Sequence, residues 1–385
     1  METVKLFYED CHCREFSATV TGCQETPKGY AVTLSATAFY PEGGGQFCDI
    51  GTLGDAAVTD VREEKGQLFH YCDRPLALGS TVRGSIDWQR RFDLMQQHTG
   101  EHIVSGILHQ MFGYHNVGFH VGKDVMEVDF DGPVSPEALA QVEEKANRAV
   151  WENLQVRCWY PGEAELPNVG YRTKRPLPWP VRIVEVPGYD KCACCGVHVA
   201  YTGEVGMIKI LSCVKFHQGV RMEMVCGGRA LSYLNRIYEQ NRLVSQTFSA
   251  KPLETGDAAR RISEALASEK LRCAALEREL FDRIAASYAS QPYALRFEDG
   301  MAPGSVRLLA ERISQHVPLA AVFSQTEGGF DVCLAGQPEQ VRTLGAAMAK
   351  ALSGRGGGKP GFFQGRVQAK KEEICQFFGE QLGIF

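Results

Sequence analysis

No stretch of this chain approaches the run of about 18 consecutive apolar residues that a membrane helix requires. The first residues, Met-Glu-Thr-Val-Lys, also lack the basic segment and the apolar run of a signal peptide. These two absences argue against an integral membrane protein and a secreted one. We therefore predict a cytoplasmic protein with no membrane partner.

The chain has no internal repeats and no excess of positive charge. Its 41 Lys and Arg residues are outnumbered by 46 Asp and Glu residues, which gives a net charge of −5. This balance argues against a protein that coats nucleic acid along its whole length, but it leaves room for a local basic face. With 385 residues and 44% hydrophobic content, we expect a folded chain of two or three domains.

Cysteine is plentiful, with 14 residues that include the adjacent pair Cys194-Cys195. A secreted domain could join them in disulfides, whereas a cytosolic protein keeps its thiols reduced. In a cytosolic chain, clustered thiols indicate metal binding or catalysis.

The pattern of apolar and turn-forming residues divides the chain into four segments of an α+β protein. Residues 1–87 alternate apolar and polar positions between turns and predict a small β-barrel. Residues 88–235 mix helical and strand patterns and predict an α+β domain. Residues 236–290 predict a helical linker, and residues 291–385 predict a small α/β domain.

Local signals set the bounds of several elements. Apolar or small residues recur at helical spacing from Phe92 to Met111, and Ser135 caps a second predicted helix over Pro136–Trp151. The segments Val205–Cys213 and Gly219–Cys226 predict two paired strands.

The helical linker is predicted to break near Lys251-Pro252 and Gly256. Beyond the break, an apolar stripe follows helical spacing at Ile262, Leu266, Cys273, Leu276, Leu280 and Ile284. Such a stripe suits half of a coiled coil, an antiparallel hairpin, or a helix packed on its own domain. The linker or the C-terminal domain could also join two copies of the chain as a homodimer.

Two imidazoles lie four residues apart in His98-Thr-Gly-Glu-His102. On a helix they face the same way, one turn apart, and can share one metal ion. The zincin protease signature needs Glu directly after the first His, where this chain has Thr99, so that signature is excluded. Taken alone, the pair could also be two ordinary surface or core histidines.

A second cluster, Cys192-Ala-Cys194-Cys195-Gly-Val-His198, adds thiolate and imidazole, which are the ligands that zinc prefers. The spacing from Cys194 to His198 suits a loop around an ion. We therefore predict a Zn²⁺ site with four ligands: His98, His102, Cys194 and His198. Cys192 and Cys195 are the alternative thiols. Four protein ligands would close a structural site, whereas a catalytic site keeps a position open.

Five ordered motifs resemble the editing domain of alanyl-tRNA synthetase and the related alanyl-tRNA editing proteins. They are the His98 pair; the Cys194 motif with Thr202-Gly203-Glu204-Val-Gly206; Thr37-Ala-Phe-Tyr-Pro-Glu-Gly-Gly-Gly-Gln46 with Asp49-Ile-Gly51; the strand at residues 221–227; and Gly356-Gly-Gly-Lys-Pro360 with Gln364-Gly365. The last motif resembles the DHH-associated domain of the longer editing proteins. Because the motifs span the chain, it is identified as a member of this family.

The resemblance implies a zinc-dependent hydrolase that removes a wrong amino acid from tRNA(Ala), with Ser-tRNA(Ala) and also Gly-tRNA(Ala) as substrates. A synthetase pocket built for alanine rejects serine poorly, and an editing site is the usual solution. The zinc would either activate a water or position the ester. Met1 lies about forty residues before the glycine-rich motif, so we expect no aminoacylation activity. The alternative is a non-catalytic tRNA-binding protein with a structural zinc.

The same resemblance marks Thr37 and Gln46 as catalytic-site candidates that hydrogen-bond the serine hydroxyl. On residue chemistry alone, Thr37 could be an ordinary strand threonine. The intervening Gly43-Gly44-Gly45 either cradles a phosphate or lets the chain turn closely beneath the substrate adenosine.

Basic residues gather near the C terminus and predict the contact with tRNA phosphates: Arg355, Lys359, Arg366, Lys370 and Lys371. The neighbouring Phe362 and Phe363 suit a stacked base. The alternative is a solvated basic surface.

Overall fold

The computed structural model describes residues 3–173 and 177–383. The chain forms two compact units, Met1–Leu243 and Val244–Phe385. Both units mix helices and strands, which confirms the predicted α+β class. The α-helices are α1 (Leu6–Glu9), α2 (Trp88–Phe112), α3 (Pro136–Trp151), α4 (Gly227–Thr247), α5 (Thr255–Ala286), α6 (Pro303–Ile313), α7 (Pro338–Ala351) and α8 (Lys371–Leu382). Within the described ranges, no helix is both long and apolar enough to cross a bilayer.

The strands of the first unit are β1 (Val4–Lys5), β2 (Glu15–Thr26), β3 (Gly29–Leu34), β4 (Ala36–Thr37), β5 (Gly51–Leu53), β6 (Ala56–Glu64), β7 (Gln67–Cys72), β8 (Thr81–Ile86), β9 (Asn116–Val121), β10 (Met126–Phe130), β11 (Arg157–Trp159), β12 (Ile183–Val186), β13 (Asp190–Ala193), β14 (Ile208–Phe216) and β15 (Gly219–Cys226). Those of the second unit are β16 (Ala294–Asp299), β17 (Leu319–Thr326), β18 (Gly329–Gly336), β19 (Arg355–Gly357) and β20 (Phe362–Val367).

Six strands near the start of the chain close into a barrel in the order β2-β3-β7-β6-β5-β8. Alternate residues of β2 point inward, so Phe16, Ala18 and Val20 are buried while their neighbours are exposed. Gly84 pairs with Phe16 on the adjacent strand, and a Cβ there would come 2.3 Å from the phenyl ring. The barrel interior therefore requires glycine at this position.

Helix α2 carries the predicted histidine pair through the core of the first unit. Asp87 caps the helix by accepting the Arg90 N–H, and Gly113 ends it in the left-handed conformation with φ of 74°. Every residue from 94 to 108 is buried. Because this stretch is covered on all sides, its apolar pattern is weak. The helix begins at Trp88, directly after its Asp87 cap, rather than at the predicted Phe92.

A buried ion pair joins α2 to the segment that follows β4. Arg91 and Asp49 are both fully buried, and Arg91 Nε donates to Asp49 Oδ1 at 2.9 Å. Arg91 Nη2 also donates to the Ala38 carbonyl at 2.6 Å, and Asp49 accepts the Tyr40 N–H at 2.6 Å. The chain on both sides of the glycine-rich turn is thus fixed to the helix.

An antiparallel sheet in the order β14-β15-β10-β9 shares a hydrophobic core with α2 and α3. Helix α3 has the predicted bounds, with Ser135 as its cap. Strand β15 also has the predicted bounds, whereas β14 begins at Ile208 because Thr202–Val205 form a 3-10 helix. A three-stranded sheet, β11-β12-β13, leads the chain to Cys194.

The second unit is built on a five-stranded sheet in the order β16-β17-β18-β20-β19. Strands β16 and β17 are parallel, and the other neighbouring pairs are antiparallel. Successive residues of β17 alternate between two cores. Leu319, Ala321 and Phe323 face one core, and Ala320 and Val322 face the other.

The predicted break of the helical linker near Lys251-Pro252 is confirmed, because α4 and α5 are separated at residues 248–254. Gly256 instead lies in the first turn of α5. The predicted stripe is exposed up to Leu280, while the last turns of α5 pack through Phe281 and Ala285 against the core around α6.

Candidate metal centre

Four side chains that the sequence predicts as ligands converge in the first unit. His98 and His102 lie one turn apart on α2, and Cys194 and His198 lie on the loop after β13. Their ligand atoms all lie within 4.8 Å of one another, and the three histidines are only 2–3% exposed. The group could therefore hold one metal ion.

The distance between two of the candidate ligands fits a tetrahedral zinc ion. Bonds of about 2.3 Å to sulfur and about 2.0–2.1 Å to nitrogen separate two tetrahedral ligand atoms by roughly 3.5 Å. Cys194 Sγ lies 3.5 Å from His98 Nε2. Beside them, His198 Nε2 is buried and has no hydrogen-bond partner within residues 3–173 and 177–383. A buried nitrogen left unpaired next to a thiol fits a metal ligand.

The other nitrogen of each ring is fixed by a neighbouring oxygen. Three contacts to Nδ1 do this: Gln46 Oε1 to His98 at 2.8 Å, Asp190 Oδ2 to His102 at 3.0 Å, and Thr99 Oγ1 to His198 at 3.2 Å. Amide and carboxylate oxygens accept hydrogen bonds, so Nδ1 of His98 and of His102 carries the proton. This arrangement leaves Nε2 for a metal and sets the direction of each ring.

Asp190 is itself held in place by an ion pair. Arg172 Nε donates to Asp190 Oδ1 at 2.7 Å, and Arg172 Nη2 donates to Oδ2 at 3.0 Å. Neither residue was predicted from the sequence, because Asp190 lies 88 positions from His102 and no spacing signal joins them. Thr99 could have been found, since it lies inside the predicted histidine motif.

The charges of the cluster favour metal binding. Burial would raise the pKa of the Cys194 thiol, but His98 and His102 hold it well below its usual value, so the sulfur is a thiolate. Burial and the nearby His98 lower the pKa of His198 to about 3. Burial also opposes the charge of His102, yet the Cys194 thiolate and Asp190 raise its pKa well above the usual value. A bound metal would displace that proton.

Of the three candidate thiols, Cys194 is the one in the four-residue cluster. Cys195 Sγ lies 4.0 Å from the Tyr40 hydroxyl instead. Cys192 belongs to a second group, with Asp190 and with His102 of the main cluster.

The Arg182 side chain fixes the loop that carries Cys194 by donating to two of its backbone carbonyls. Arg182 Nη1 donates to the Cys194 carbonyl at 3.0 Å and to the Gly196 carbonyl at 2.8 Å. A Cβ on Gly196 would come 2.1 Å from His98 Cε1. This position therefore has no room for a side chain.

The glycine-rich turn at residues 43–46 places Gln46 beside the candidate metal centre. Gly43 and Gln46 exchange two backbone hydrogen bonds, and Gly44 and Gly45 between them have φ of 60° and 81°. A Cβ on Gly45 would come 2.5 Å from the Phe119 ring, so packing also requires glycine there. Gln46 Nε2 is buried and has no hydrogen-bond partner in the described part of the chain.

Thr37 is fully buried, and its hydroxyl is engaged inside the barrel. His70 Nδ1 lies 3.1 Å from the Val32 carbonyl and donates to it, so its Nε2 accepts the Thr37 O–H at 2.8 Å. The Thr37 oxygen accepts the Phe39 N–H at 3.1 Å. The role of Thr37 in choosing serine stays a prediction.

The five basic residues predicted to contact tRNA lie in the second unit and are all exposed: Arg355, Lys359, Arg366, Lys370 and Lys371. Arg355 and Arg366 face each other across the β19-β20 pair. Arg366 also donates to Thr326 Oγ1 at 2.8 Å, and Lys371 Nζ lies 4.9 Å from the centre of the Phe297 ring. Like charges directly opposite on a sheet repel, and a bound anion would relieve the repulsion.

Phe362 and Phe363 lie on opposite faces of the sheet in the second unit. Both rings are partly buried, and Phe362 packs in one core of the unit while Phe363 packs in the other. The Arg307 guanidinium also lies 5.4 Å from the centre of the Phe362 ring. The two side chains point to opposite faces of β20 and contact different cores, and a base stacked on either ring stays a prediction.

The family model described as "Threonyl and Alanyl tRNA synthetase second additional domain" matches residues 181–223, which include Cys194 and His198. Alanine--tRNA ligase of Ignicoccus hospitalis is 36% identical over 65% of this chain and 29% of the ligase. A solved structure, the C-Ala domain of Aquifex aeolicus alanyl-tRNA synthetase, covers 22% of this chain and 85% of that domain at 18% identity. Its TM-score of 0.19 is too low to support an argument.

The chain is also similar, over nearly its whole length, to the alanyl-tRNA editing protein Aarsd1 of Mus musculus. The two are 30% identical over 94% of this chain and 93% of the mouse protein. Because the likeness extends over nearly the whole of both chains, this chain belongs to the family of alanyl-tRNA editing proteins.

Proposed function

We propose that this chain hydrolyses the ester bond of mischarged tRNA(Ala), with Ser-tRNA(Ala) as the preferred substrate and Gly-tRNA(Ala) as a second one. Membership of the editing protein family supports the class of reaction. The observation that carries the proposal is the convergence of His98, His102, Cys194 and His198. The proposed activity is ester hydrolysis at that cluster, and no aminoacylation is expected.

One thiolate and three imidazoles form a donor set that suits Zn²⁺. When bound, zinc supplies a Lewis acid that polarises a carbonyl or lowers the pKa of a water to about 7. The chain's own residues fix the geometry of this centre. Asp190 and Thr99 orient two of the rings through Nδ1, and Arg182 holds the loop that carries Cys194.

Gln46 is the proposed selector of the amino acid. Its Oε1 orients His98, and its Nε2 is buried without a partner in the described residues. A serine hydroxyl offers an oxygen to this donor, whereas an alanine methyl leaves it unpaired. An unpaired buried donor costs about 1–3 kcal/mol, which favours removal of serine over removal of the correct amino acid. Thr37 is the second proposed selector, on its motif position.

The exposed basic residues of the second unit are proposed to hold the tRNA through its phosphates. Such contacts carry no sequence information, so they would position the substrate rather than identify it. The homodimer expected through the linker or the C-terminal domain stays a prediction.

A second candidate function is a non-catalytic tRNA-binding protein with a structural zinc. The specific observation in its favour is that the cluster offers four protein ligands, the number that closes a structural site. In that case, His98→Ala would unfold the first unit. Under the editing proposal, a folded and inactive protein is expected.

The deciding experiment is a deacylation panel with Ser-, Gly- and Ala-charged tRNA(Ala), with and without a chelator. We expect the seryl ester to be cleaved fastest, and the chelated protein to lose this activity until Zn²⁺ is restored. Circular dichroism of His98→Ala provides the control for folding. Equal cleavage of Ser-tRNA(Ala) and Ala-tRNA(Ala), or activity indifferent to chelation, would contradict the proposal.

A further inference from the structure

Another group of side chains that could hold a metal ion lies near the start of the first unit, in the turn after α1. The ligand atoms of Asp10, Cys11 and His12 all lie within 4.8 Å of one another. Cys11 Sγ lies 3.6 Å from His12 Nδ1, close to the roughly 3.5 Å expected between sulfur and nitrogen on one zinc ion. Asp10 Oδ1 lies 3.9 Å from the same nitrogen. The editing chemistry uses none of these residues.

The orientation of the His12 ring is fixed in the manner of a metal ligand. His12 Nε2 lies 2.7 Å from Glu204 Oε2, so this nitrogen carries the proton and donates it to the carboxylate. The lone pair of Nδ1 then faces Cys11 Sγ, whose S–H donates to it. A cation bound between the two atoms would take the place of that thiol proton.

Glu204 is held rigidly in this role. Its Oε1 accepts the Tyr201 N–H at 3.0 Å, and its backbone carbonyl accepts the Gln96 side-chain N–H at 2.8 Å. Glu204 is therefore placed by the 3-10 helix and by α2, independently of the turn that carries His12. A fixed carboxylate behind an imidazole is the usual support of a histidine ligand.

The side chains around Cys11 carry more negative than positive charge. The carboxylates of Asp10 and Glu204 place negative charge near Cys11, and Arg91 is the nearby positive charge that opposes them. The site is also open to ions, because the His12 and Asp10 side chains are 39% and 65% exposed. A negative, accessible group of this kind gains by binding a cation.

We propose that Asp10, Cys11 and His12 form a second, solvent-accessible site for a divalent cation of zinc-like softness, with Glu204 as the positioning residue behind His12. Thiolate, imidazole and carboxylate together select a borderline-soft ion, and a water completes the tetrahedron. The site joins the N-terminal turn to the loop that follows the main metal ligands, so its occupancy stiffens that connection.

Equilibrium dialysis of the full chain against buffered free Zn²⁺ tests this site. We expect two zinc ions per chain in the wild type and one in Cys11→Ser/His12→Gln. The matched control is Cys13→Ser, whose thiol donates to the Glu15 carbonyl and which should keep both ions. Glu204→Gln should weaken the second site about 10–100-fold. One ion per chain in the wild type, or two in the double variant, would overturn the proposal.

Cobalt spectroscopy supplies a second measurement that does not depend on tRNA. In a His102→Ala/Cys194→Ser background, which removes ligands from the main cluster and from the group of His102, Asp190 and Cys192, Co²⁺ should still give a thiolate charge-transfer band, and adding Cys11→Ser should remove it. A folded background variant without that band would contradict the site. Deacylation by Cys11→Ser/His12→Gln should match the wild type, so loss of the second zinc and failure of the editing proposal are distinguishable.

Discussion

The Asp190 carboxylate orients His102 and is itself held by Arg172 at 2.7 Å. Asp190→Asn keeps the shape of this contact but removes its charge. We expect zinc affinity to fall about 10–100-fold while the fold is retained. Competition with a chromophoric chelator measures this change. Asp60→Asn, at a surface ion pair with Arg62 in the barrel, is the control and should leave zinc affinity unchanged.

The buried pair of Arg91 and Asp49 should be a major determinant of stability. Asp49→Ala leaves the Arg91 guanidinium buried without a counter-charge, which costs about 3–5 kcal/mol. The exposed pair of Arg62 and Glu42 is the control, since Glu42→Ala should cost about 0–1 kcal/mol. Urea unfolding of the two variants tests the difference, and similar costs would show that burial is not the cause.

His70 should make stability depend on pH. Burial lowers its pKa to about 4, so the folded protein keeps the ring neutral. Between pH about 6.5 and about 4 the unfolded chain binds the proton and the folded chain does not, and stability falls as the pH falls. We expect the wild type to lose about 2 kcal/mol more than His70→Asn between pH 7 and pH 5. Equal losses by urea unfolding would contradict this assignment.

The residues of the candidate centre were predictable only where their spacing along the sequence identifies them as metal ligands. The histidines are one helical turn apart, and the Cys194 loop has ligand spacing, so both halves of the cluster are visible in the sequence. Asp190 and Arg172 could not be found in this way, because their contacts depend on how distant segments pack. Thr37 was singled out by its motif, but the His70 contact that engages its hydroxyl joins residues 33 positions apart.

At the scale of elements, β19 and the loop after it hold two residues of the predicted tRNA contact, Arg355 and Lys359. Arg355→Ala/Lys359→Ala should weaken tRNA binding and reduce its salt dependence by about 1 per lost phosphate contact. Arg342→Ala on α7 is the control, because Arg342 is equally exposed but pairs with Glu339. Titrations with tRNA at several salt concentrations distinguish the two, and an equal effect of both would argue for a merely solvated surface.

Helix bounds were predictable where capping residues mark them. Ser135 and Pro136 set the start of α3, and the prediction matched the structure. The predicted start of α2 was wrong by four residues, since the apolar spacing used to place the helix begins only at Phe92, whereas the Asp87 cap starts it at Trp88. Phe362 and Phe363 are adjacent residues of a strand, so they face opposite sides of the sheet and pack against different cores, and a base stacked on either ring stays a prediction.

For the whole molecule, the two compact units suggest that metal binding and tRNA anchoring can be separated. A chain truncated after Thr247 retains all four predicted zinc ligands and loses every predicted tRNA contact. We expect its zinc content to be unchanged and its tRNA affinity to fall. Metal analysis and tRNA titration of the truncated and full chains test this, and unchanged tRNA affinity would show that the anchor lies in the first unit.

The mixed α+β class followed from the sequence because helical and strand periods alternate along it. The division into four domains at residues 87, 235 and 290 stays a prediction. The contact pattern instead separates two units near residue 243, inside α4. Long-range contacts, which local periodicity does not encode, decide which segments form one unit.

The three Nδ1 contacts of the metal centre come from the turn after β4, from α2 and from β13. An unfolded chain cannot assemble them, so a zinc ion held by this centre would bind only molecules that have completed this part of the fold. Binding to the folded state alone shifts the folding equilibrium by mass action. A cell short of zinc should consequently hold less of this protein, as unliganded copies open and are degraded, and the accuracy of alanine incorporation would then track the metal supply.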